Sequence, residues 1–301
     1  MILYLAGAEQ EKPELLSRLT NSNLLFSYIY NPIKVVSIPH NVLGGLSFVD
    51  SGAFSAWTKG VKINTDMYIY WLNKNDNSID LFGQLDAIPG DRNHFTSQKD
   101  VKKSGYESWS NYLYMRDRVV SPKKLLYTFH VGEPKEYLEM ALEWKDSDGQ
   151  PIPYIALGGL VGKPTEVRRN FLNMCFNIIR ASPNSNVKVH TFGMTERKLL
   201  EEFPITSADS TSWIMIGATG GILTDVGIVY VTDKRKYEPN YYKKLFNTSL
   251  EKFNSWLFEF GFTVDELSNS RDNRIIYNGL WMMNRFSHIK FKGNNFKKAL
   301  F

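Results

Sequence analysis

Short, nearly uninterrupted apolar runs recur along the chain, separated by stretches in which apolar residues return every three or four positions. The runs cover 2–5, 33–38, 46–49, 81–85, 125–129, 153–157, 187–191 and 205–208. Such runs suit strands covered on both faces, as in a parallel sheet wrapped by helices. Between them, 134–144 and 165–181 carry helical spacing, and Pro164-Thr165-Glu166 supplies a helix start. Strands alternating with helices predict a parallel sheet, and eight of them predict closure into an α/β (β/α)8 TIM barrel.

The pattern changes after the last run. Residues 220–225 and 227–232 read as a hairpin, and 241–260 and 271–285 as two amphipathic helices with Leu245, Phe253, Trp256, Leu257 and Phe260 on one face. The expected organisation is a barrel domain over 1–232 and a helical extension over 233–301 packed on it as one structural unit, with an inserted basic and aromatic connection after the fourth strand. No internal repeat or low-complexity segment interrupts it.

Composition narrows the class. With 301 residues, 43% hydrophobic and 22% charged, the chain can bury a sizeable core and is not a disordered one. A single cysteine, Cys175, excludes an intramolecular disulfide and a multi-thiolate zinc site; its apolar setting at helical spacing predicts a buried structural thiol. The opening Ile2-Leu3-Tyr4-Leu5-Ala6 is too short for a signal h-region, and no apolar run approaches the roughly 20 residues of a membrane span, so a cytoplasmic protein is expected. The net charge of +5 and a pI near 9.0 fit a polyanionic partner. Lys99, Lys102, Lys103, Arg116, Arg118, Lys123 and Lys124 crowd one connection with Tyr106, Trp109, Tyr112 and Tyr114. Lys234-Arg235-Lys236 and Lys243-Lys244 lie among Tyr237, Tyr241 and Tyr242, and Arg285, Lys290, Lys292, Lys297 and Lys298 enrich the end. Cations interleaved with aromatics suit phosphate contacts and base stacking.

Three expected strands run into a carboxylate: Asp50 in Asp50-Ser51-Gly52-Ala53-Phe54, Asp86 in Gln84-Leu85-Asp86-Ala87-Ile88-Pro89-Gly90, and Asp209 in Ala208-Asp209-Ser210. His130, Gly158-Gly159 and Phe192-Gly193 fall at the same strand ends, where a barrel keeps its active site. The histidines His40, His94, His130, His190 and His288 are scattered, with no His-x-His pair after the first strand, so no metal site is expected.

Together, Asp50-Ser51-Gly52-Ala53-Phe54, Leu157-Gly158-Gly159-Leu160, His190-Thr191-Phe192-Gly193 and Ala208-Asp209-Ser210 resemble, in order and spacing, the tRNA-guanine transglycosylase superfamily, most closely its DNA 7-deazaguanine (preQ0) transglycosylase branch. The resemblance covers residues 1 to about 232. It implies that guanine is cut from its nucleotide and a 7-deazaguanine installed, as in queuosine-related modification. It implies that Asp50 is the general acid/base, that Asp209 attacks C1′ and holds the sugar, and that Asp86 reads the base edge with Ser51 nearby. Phe54 and Phe192 would sandwich the base, and Gly158, Gly159, Leu160 and Gly193 would present backbone groups to it. An N-glycosidic cleavage that builds oxocarbenium character has independent need of such a carboxylate pair.

The departures from the family's pattern point away from tRNA. His130 stands where tRNA enzymes carry a base-contacting Gln, able to donate to O6 or serve as a structural histidine. Gly162-Lys163 replaces a Glu near the 7-substituent, favouring a neutral 7-cyano base over an aminomethyl one. The zinc subdomain and any appended RNA-binding domain are absent, so the expected partners are DNA and a free 7-deazaguanine, with no cofactor. Lys102, Lys103, Arg116, Arg118, Lys234, Arg235 and Lys236 are the expected nucleic-acid contacts. The abundance of Asn, Lys, Tyr and Phe fits an AT-rich coding source such as a bacteriophage. The alternatives are a tRNA enzyme of the same chemistry, a catalytically silent nucleic-acid-binding homologue, which would not need both Asp50 and Asp209, and an unrelated barrel hydrolase.

Overall fold

The computed structural model describes residues 1–90, 97–232 and 250–293. Eight parallel strands close in sequence order: β1 Ile2–Ala6, β2 Asn23–Ser27, β3 Ser47–Asp50, β4 Leu81–Gly83, β5 Leu125–His130, β6 Tyr154–Gly158, β7 Lys188–Thr191 and β8 Ser207–Ser210. β1 completes the ring by pairing with β8, Tyr4 opposite Asp209. The fold is a (β/α)8 TIM barrel. Its helices are α1 Pro13–Leu16, α2 Ala53–Lys59, α3 Thr65–Lys74, α4 Gln98–Arg116, α5 Lys135–Glu143, α6 Thr165–Ala181, α7 Arg197–Glu202 and α8 Ser212–Ala218.

Alternation along each strand divides the core in two. Tyr4, Ala6, Leu25, Phe48, Leu126, Tyr154 and Ala156 fill the barrel, whereas Leu3, Leu5, Leu24, Phe26, Val49, Phe82, Tyr127, Phe129, Ile155 and Leu157 meet the helices. Cys175 is buried among the latter, and burial pushes its thiol up.

One expected strand is displaced. Residues 33–38 form tight helical turns entered through Pro32, and β2 is Asn23–Ser27 instead. Pro32 and Pro39 bracket 33–38 and favour turns, so Val35, Val36 and Ile38 are buried without pairing. The true strand hides its apolar Leu24-Leu25-Phe26 core between loop-like Asn23 and Ser27. The basic connection after β4 holds a 19-residue helix, α4, opened by a Ser97/Asp100 capping box, with Arg118 just past it and Lys123 and Lys124 in a separate 3-10 turn. It occupies the place of the ordinary barrel helix.

The hairpin forms as β9 Gly221–Thr224 and β10 Gly227–Tyr230. Of the expected helix over 241–260, the described part is α9 Leu250–Phe258, with Phe253, Trp256 and Leu257 buried; Leu245 lies outside the described residues. A short α10, Val264–Asn269, precedes α11, Arg271–Ser287. Helix α11 packs on α8, β9 and β1. Its Gly279 allows the approach, since a Cβ there would come within 2.7 Å of Leu19 Cδ2 and 3.2 Å of Leu5 Cδ1. Asn278, fully buried, donates to the carbonyls of Trp213 and Gly221 and accepts from the Leu223 N–H. Asn278→Ala strands those backbone groups, and a loss of about 2–4 kcal/mol in urea unfolding, with the slope unchanged, is expected.

Candidate active site

β3 ends on Asp50 itself, which pairs with Ser27 of β2. The next turn brings the Gly52 N–H back to Asp50 Oδ2 at 3.0 Å. Gly52 has φ 78°, and a Cβ there would sit 2.5 Å from Ser27 Oγ, so both the backbone angle and the space require glycine. β4 is short, which leaves Asp86 three residues beyond its end. Its Oδ1 accepts from the Ser51 hydroxyl at 3.2 Å and its Oδ2 faces His130 Nε2 at 3.0 Å. Above the end of β4, a Cβ on Gly83 would lie 3.6 Å from Asp50 Oδ1 and 3.9 Å from Phe192 Cζ, so Asp50 and Phe192 meet over one glycine.

Asp209 lies within β8 and is 6% exposed. Oδ1 accepts from the Gly193 N–H at 2.9 Å and faces His190 Nε2 at 3.1 Å. His190 Nδ1 is 2.7 Å from Ser207 Oγ, itself 2.6 Å from the Tyr154 hydroxyl. A carboxylate only accepts, so Nε2 donates to Asp209, and Nδ1 continues the hydrogen-bond chain through Ser207 to Tyr154. Phe48 and Phe192 pack edge-on to the His190 ring, with centroids at 4.9 and 4.7 Å. Oδ1 is thus committed and Oδ2 is left for other chemistry.

Electrostatics separates the groups. Burial, then the Asp86 charge, outweigh the Gly52 hydrogen bond and push Asp50 up to about 7; Asp209 and Glu9 add to the rise. Burial opposes the charge on His130, but its hydrogen bonds to Asp86 and Glu133 and the charges of those two acids outweigh it and raise it to about 10. Glu133 is the residue that sequence reasoning missed. Its Oε2 accepts the His130 backbone N–H at 2.9 Å and its Oε1 lies 3.4 Å from His130 Nδ1. Glu9, just after β1, was missed too; its Oε2 accepts the Ser27 N–H, and burial pushes its carboxyl up.

The remaining expected residues divide. Phe54, on the first turn of α2, is 67% exposed and stacked on Trp57. Gly159 has φ 73° and Gly193 φ 61°, both turns that favour glycine, while the Leu160 side chain is core. Gly158 serves His130, as a Cβ on it would strike the ring at 2.5 Å. With Nε2 turned to Asp86 and Nδ1 to Glu133, both ring nitrogens of His130 have partners within the protein, which is the arrangement expected of the structural histidine.

Lys102 and Lys103 are exposed near the start of α4. Arg116 is not a nucleic-acid contact: it is buried at the far end of α4, paired with Asp146 at 2.9 Å and lying over Trp144. Arg118 folds back over the Tyr114 ring at the same end, and Trp109 and Tyr112 are core. Lys234, Arg235 and Lys236, with Tyr237, Tyr241 and Tyr242, lie outside the described residues. A cavity of about 440 Å³ opens at the opposite, N-terminal end of β7 and β8, lined by Phe176, Val187, Lys188, Thr206 and Phe291, without a carboxylate. Among the described residues no helix is long and apolar enough to cross a membrane, and no group of three His, Cys, Asp or Glu is arranged to hold a metal ion.

The arrangement offers one fixed carboxylate, one that holds a proton near neutral pH, and a third acceptor tied to a cation. No protein-family model matches the chain, and no curated protein matches it.

Because Asp50 is raised, the folded chain keeps a proton that the unfolded chain has released between about pH 4 and about pH 7, so the stabilisation of the protonated form is lost as pH rises through that window. Asp50→Asn has no such loss. Its stability relative to wild type should grow from about pH 5 to about pH 8 in thermal melts, whereas a pH-independent difference would show that Asp50 titrates as an ordinary carboxyl.

Proposed function

We propose that the chain replaces guanine in DNA with a 7-deazaguanine, 7-cyano-7-deazaguanine favoured, through a covalent Asp209–sugar intermediate. The observation that carries this reading is the pairing at one barrel mouth of Asp209, anchored through Oδ1, with Asp50, whose carboxyl is pushed up to about 7. Asp209 Oδ2 attacks C1′, the bond from C1′ to the base nitrogen breaks, and the bonding pair leaves with guanine, which takes the Asp50 proton. The incoming base returns a proton to Asp50, its nitrogen attacks C1′, and the Asp209 carboxylate departs. Protons balance over the cycle, and the two carboxyls keep separate duties.

Base selection falls to Asp86. Ser51 and His130 use one lone pair on each of its oxygens, and the second pair on each remains for two adjacent donors such as N1–H and the exocyclic amino group of a guanine-like ring. Phe54, exposed beside the mouth, offers a stacking face, and the exposed Lys163 in the turn after β6 disfavours a cationic 7-substituent. For the polymer, the geometry of α4 is informative. Ser108 Oγ accepts the Ala87 N–H, which puts residue 108 level with the Asp86 loop. Lys102 and Lys103 stand five or six residues nearer the helix start, roughly 8 Å higher at 1.5 Å per residue, with Lys99 beyond them. With the exposed Tyr106 we read them as a basic, aromatic edge beside the mouth, Lys103 being shared with Glu107 at 3.6 Å. A target base must leave the duplex stack to reach Asp209, and phosphate contacts on that edge offset the cost.

The test is incorporation of radiolabelled 7-deazaguanine into duplex DNA and, separately, unmodified tRNA. Wild type should label DNA, Asp209→Ala should lose about 10³-fold or more, and Asp50→Ala about 10²-fold or more. Label entering tRNA alone keeps the chemistry and overturns the substrate. No label in either, with salt-sensitive DNA binding retained, overturns the enzyme in favour of a silent binder. Lys102→Ala with Lys103→Ala should weaken DNA binding and flatten its dependence on salt, whereas Arg118→Ala should leave both unchanged in a salt titration.

A further inference from the structure

His130 sits between two carboxylates from different segments. Nε2 faces Asp86 Oδ2 at 3.0 Å, and Nδ1 faces Glu133 Oε1 at 3.4 Å. Ionised carboxylates accept and do not donate, so each ring nitrogen must bring its own proton. Glu133 is anchored on the residue it serves, since its second oxygen takes the His130 backbone N–H. Its side chain is only 2% exposed, and a buried carboxylate needs a cation or a proton. The ring is seated on Gly158 of β6, whose lack of a Cβ leaves the space that Cδ2 and Nε2 occupy. Among the described residues, the charged groups facing the ring are Asp86 from the loop after β4 and Glu133 from the turn after β5; Gly158 brings none. Beyond Asp86 stands Asp50, and behind Glu133 its charge reaches Tyr127 and Tyr137.

We propose that Glu133 is a positioning residue that keeps His130 an imidazolium, and that this cation decides which of two neighbouring carboxyls is ionised: Asp86 stays charged and the proton resides on Asp50. The Asp86 and Asp50 carboxyls are close enough for the charge of one to raise the other, and a single proton relieves them wherever it sits. Of these two carboxyls the imidazolium bonds Asp86, which breaks the tie. A proton on Asp86 would turn an acceptor into a donor facing the donor edge of a guanine-like base, and would leave Asp50 unable to act as the acid. The assignment of roles rests on the base-exchange reading, whereas the charge arrangement does not.

The test uses the full chain labelled with ¹⁵N-histidine, His130 being assigned by its disappearance in His130→Asn. Long-range ¹H–¹⁵N spectra from about pH 6 to about pH 9 should show wild-type His130 protonated on both nitrogens throughout, and in Glu133→Gln losing a proton within that range, with Glu133→Asp restoring the wild-type behaviour. In the exchange assay, Glu133→Gln should lose about tenfold or more at pH 8 and much less at pH 6, where His130 regains its proton. Wild-type His130 titrating near its ordinary value of about 6.5 overturns the proposal, as does an activity loss that is the same at every pH. If the spectra behave as expected and wild type exchanges no base, the imidazolium assignment stands and the transglycosylase reading falls. Should Glu133→Gln fail to fold, the wild-type titration and Glu133→Asp decide the matter.

Discussion

Carboxyls gathered in one half-dry mouth repel each other and lose their water, so each must be given a donor, a cation or a proton before the barrel can close around them. Every acid at the mouth is supplied locally. Asp209 receives the Gly193 N–H and the His190 ring, Asp86 receives Ser51 and His130, Glu133 receives the backbone and ring of His130, and Asp50 receives the Gly52 N–H. Asp50, with one backbone donor against the charges of Asp86, Asp209 and Glu9, is the member left short. Burial first, and then the charges of its neighbours, therefore push its titration up, and a proton makes up the difference. The asymmetry that a proton-transfer group needs thus comes from an uneven supply of donors.

That supply depends on backbone geometry at a few glycines. Gly52 must take a positive φ and stay within reach of Ser27 so that its N–H can return to Asp50. Gly158 must lack a Cβ so that the His130 ring can lie across β6. Gly193 turns its N–H into the barrel for Asp209 from a positive φ of its own. Gly158 and Gly193, which read in sequence as groups for contacting a base, thus also serve carboxylates, one by seating the His130 ring and one through its own N–H. A ligand would meet a site whose acids are already oriented.

The closed barrel was legible because its strands are buried on both faces and read as apolar runs; seven of the eight expected runs coincide with strands. The eighth failed where composition misled: Val35, Val36 and Ile38 are apolar but sit between prolines, while β2 is three apolar residues between Asn23 and Ser27. Of the candidate site, the strand-end carboxylates could be placed because strand ends define the mouth. Glu133 could not, because Gly132-Glu133-Pro134 reads as an ordinary turn and its burial follows from a bond to the His130 main chain. The available signal was its three-residue spacing from His130 directly after a strand. His190 was legible as part of a motif but not as a partner of Asp209, a contact between adjacent strands that depends on register.

Helix polarity explains why a basic cluster contiguous in sequence is not one surface. In a parallel barrel each helix starts at the mouth and runs back to the opposite end, so residues early and late in α4 face different solvent. Lys102 and Lys103 precede the level of Asp86, whereas Arg116 meets Pro122 and Asp146 in the segments that lead into β5 and β6. Lys124 likewise pairs with Asp76, just before β4. Roughly 20 Å of helix separates Lys102 from Arg116 at 1.5 Å per residue, about two and a half Debye lengths at physiological salt. A polyanion held on the upper lysines gains almost nothing from the lower arginines. Arg116 and Lys124 instead neutralise Asp146 and Asp76 at the barrel's base, and Arg118 is spent on the Tyr114 carbonyl and ring, so a basic run contiguous in sequence divides its charge between the two ends of the barrel.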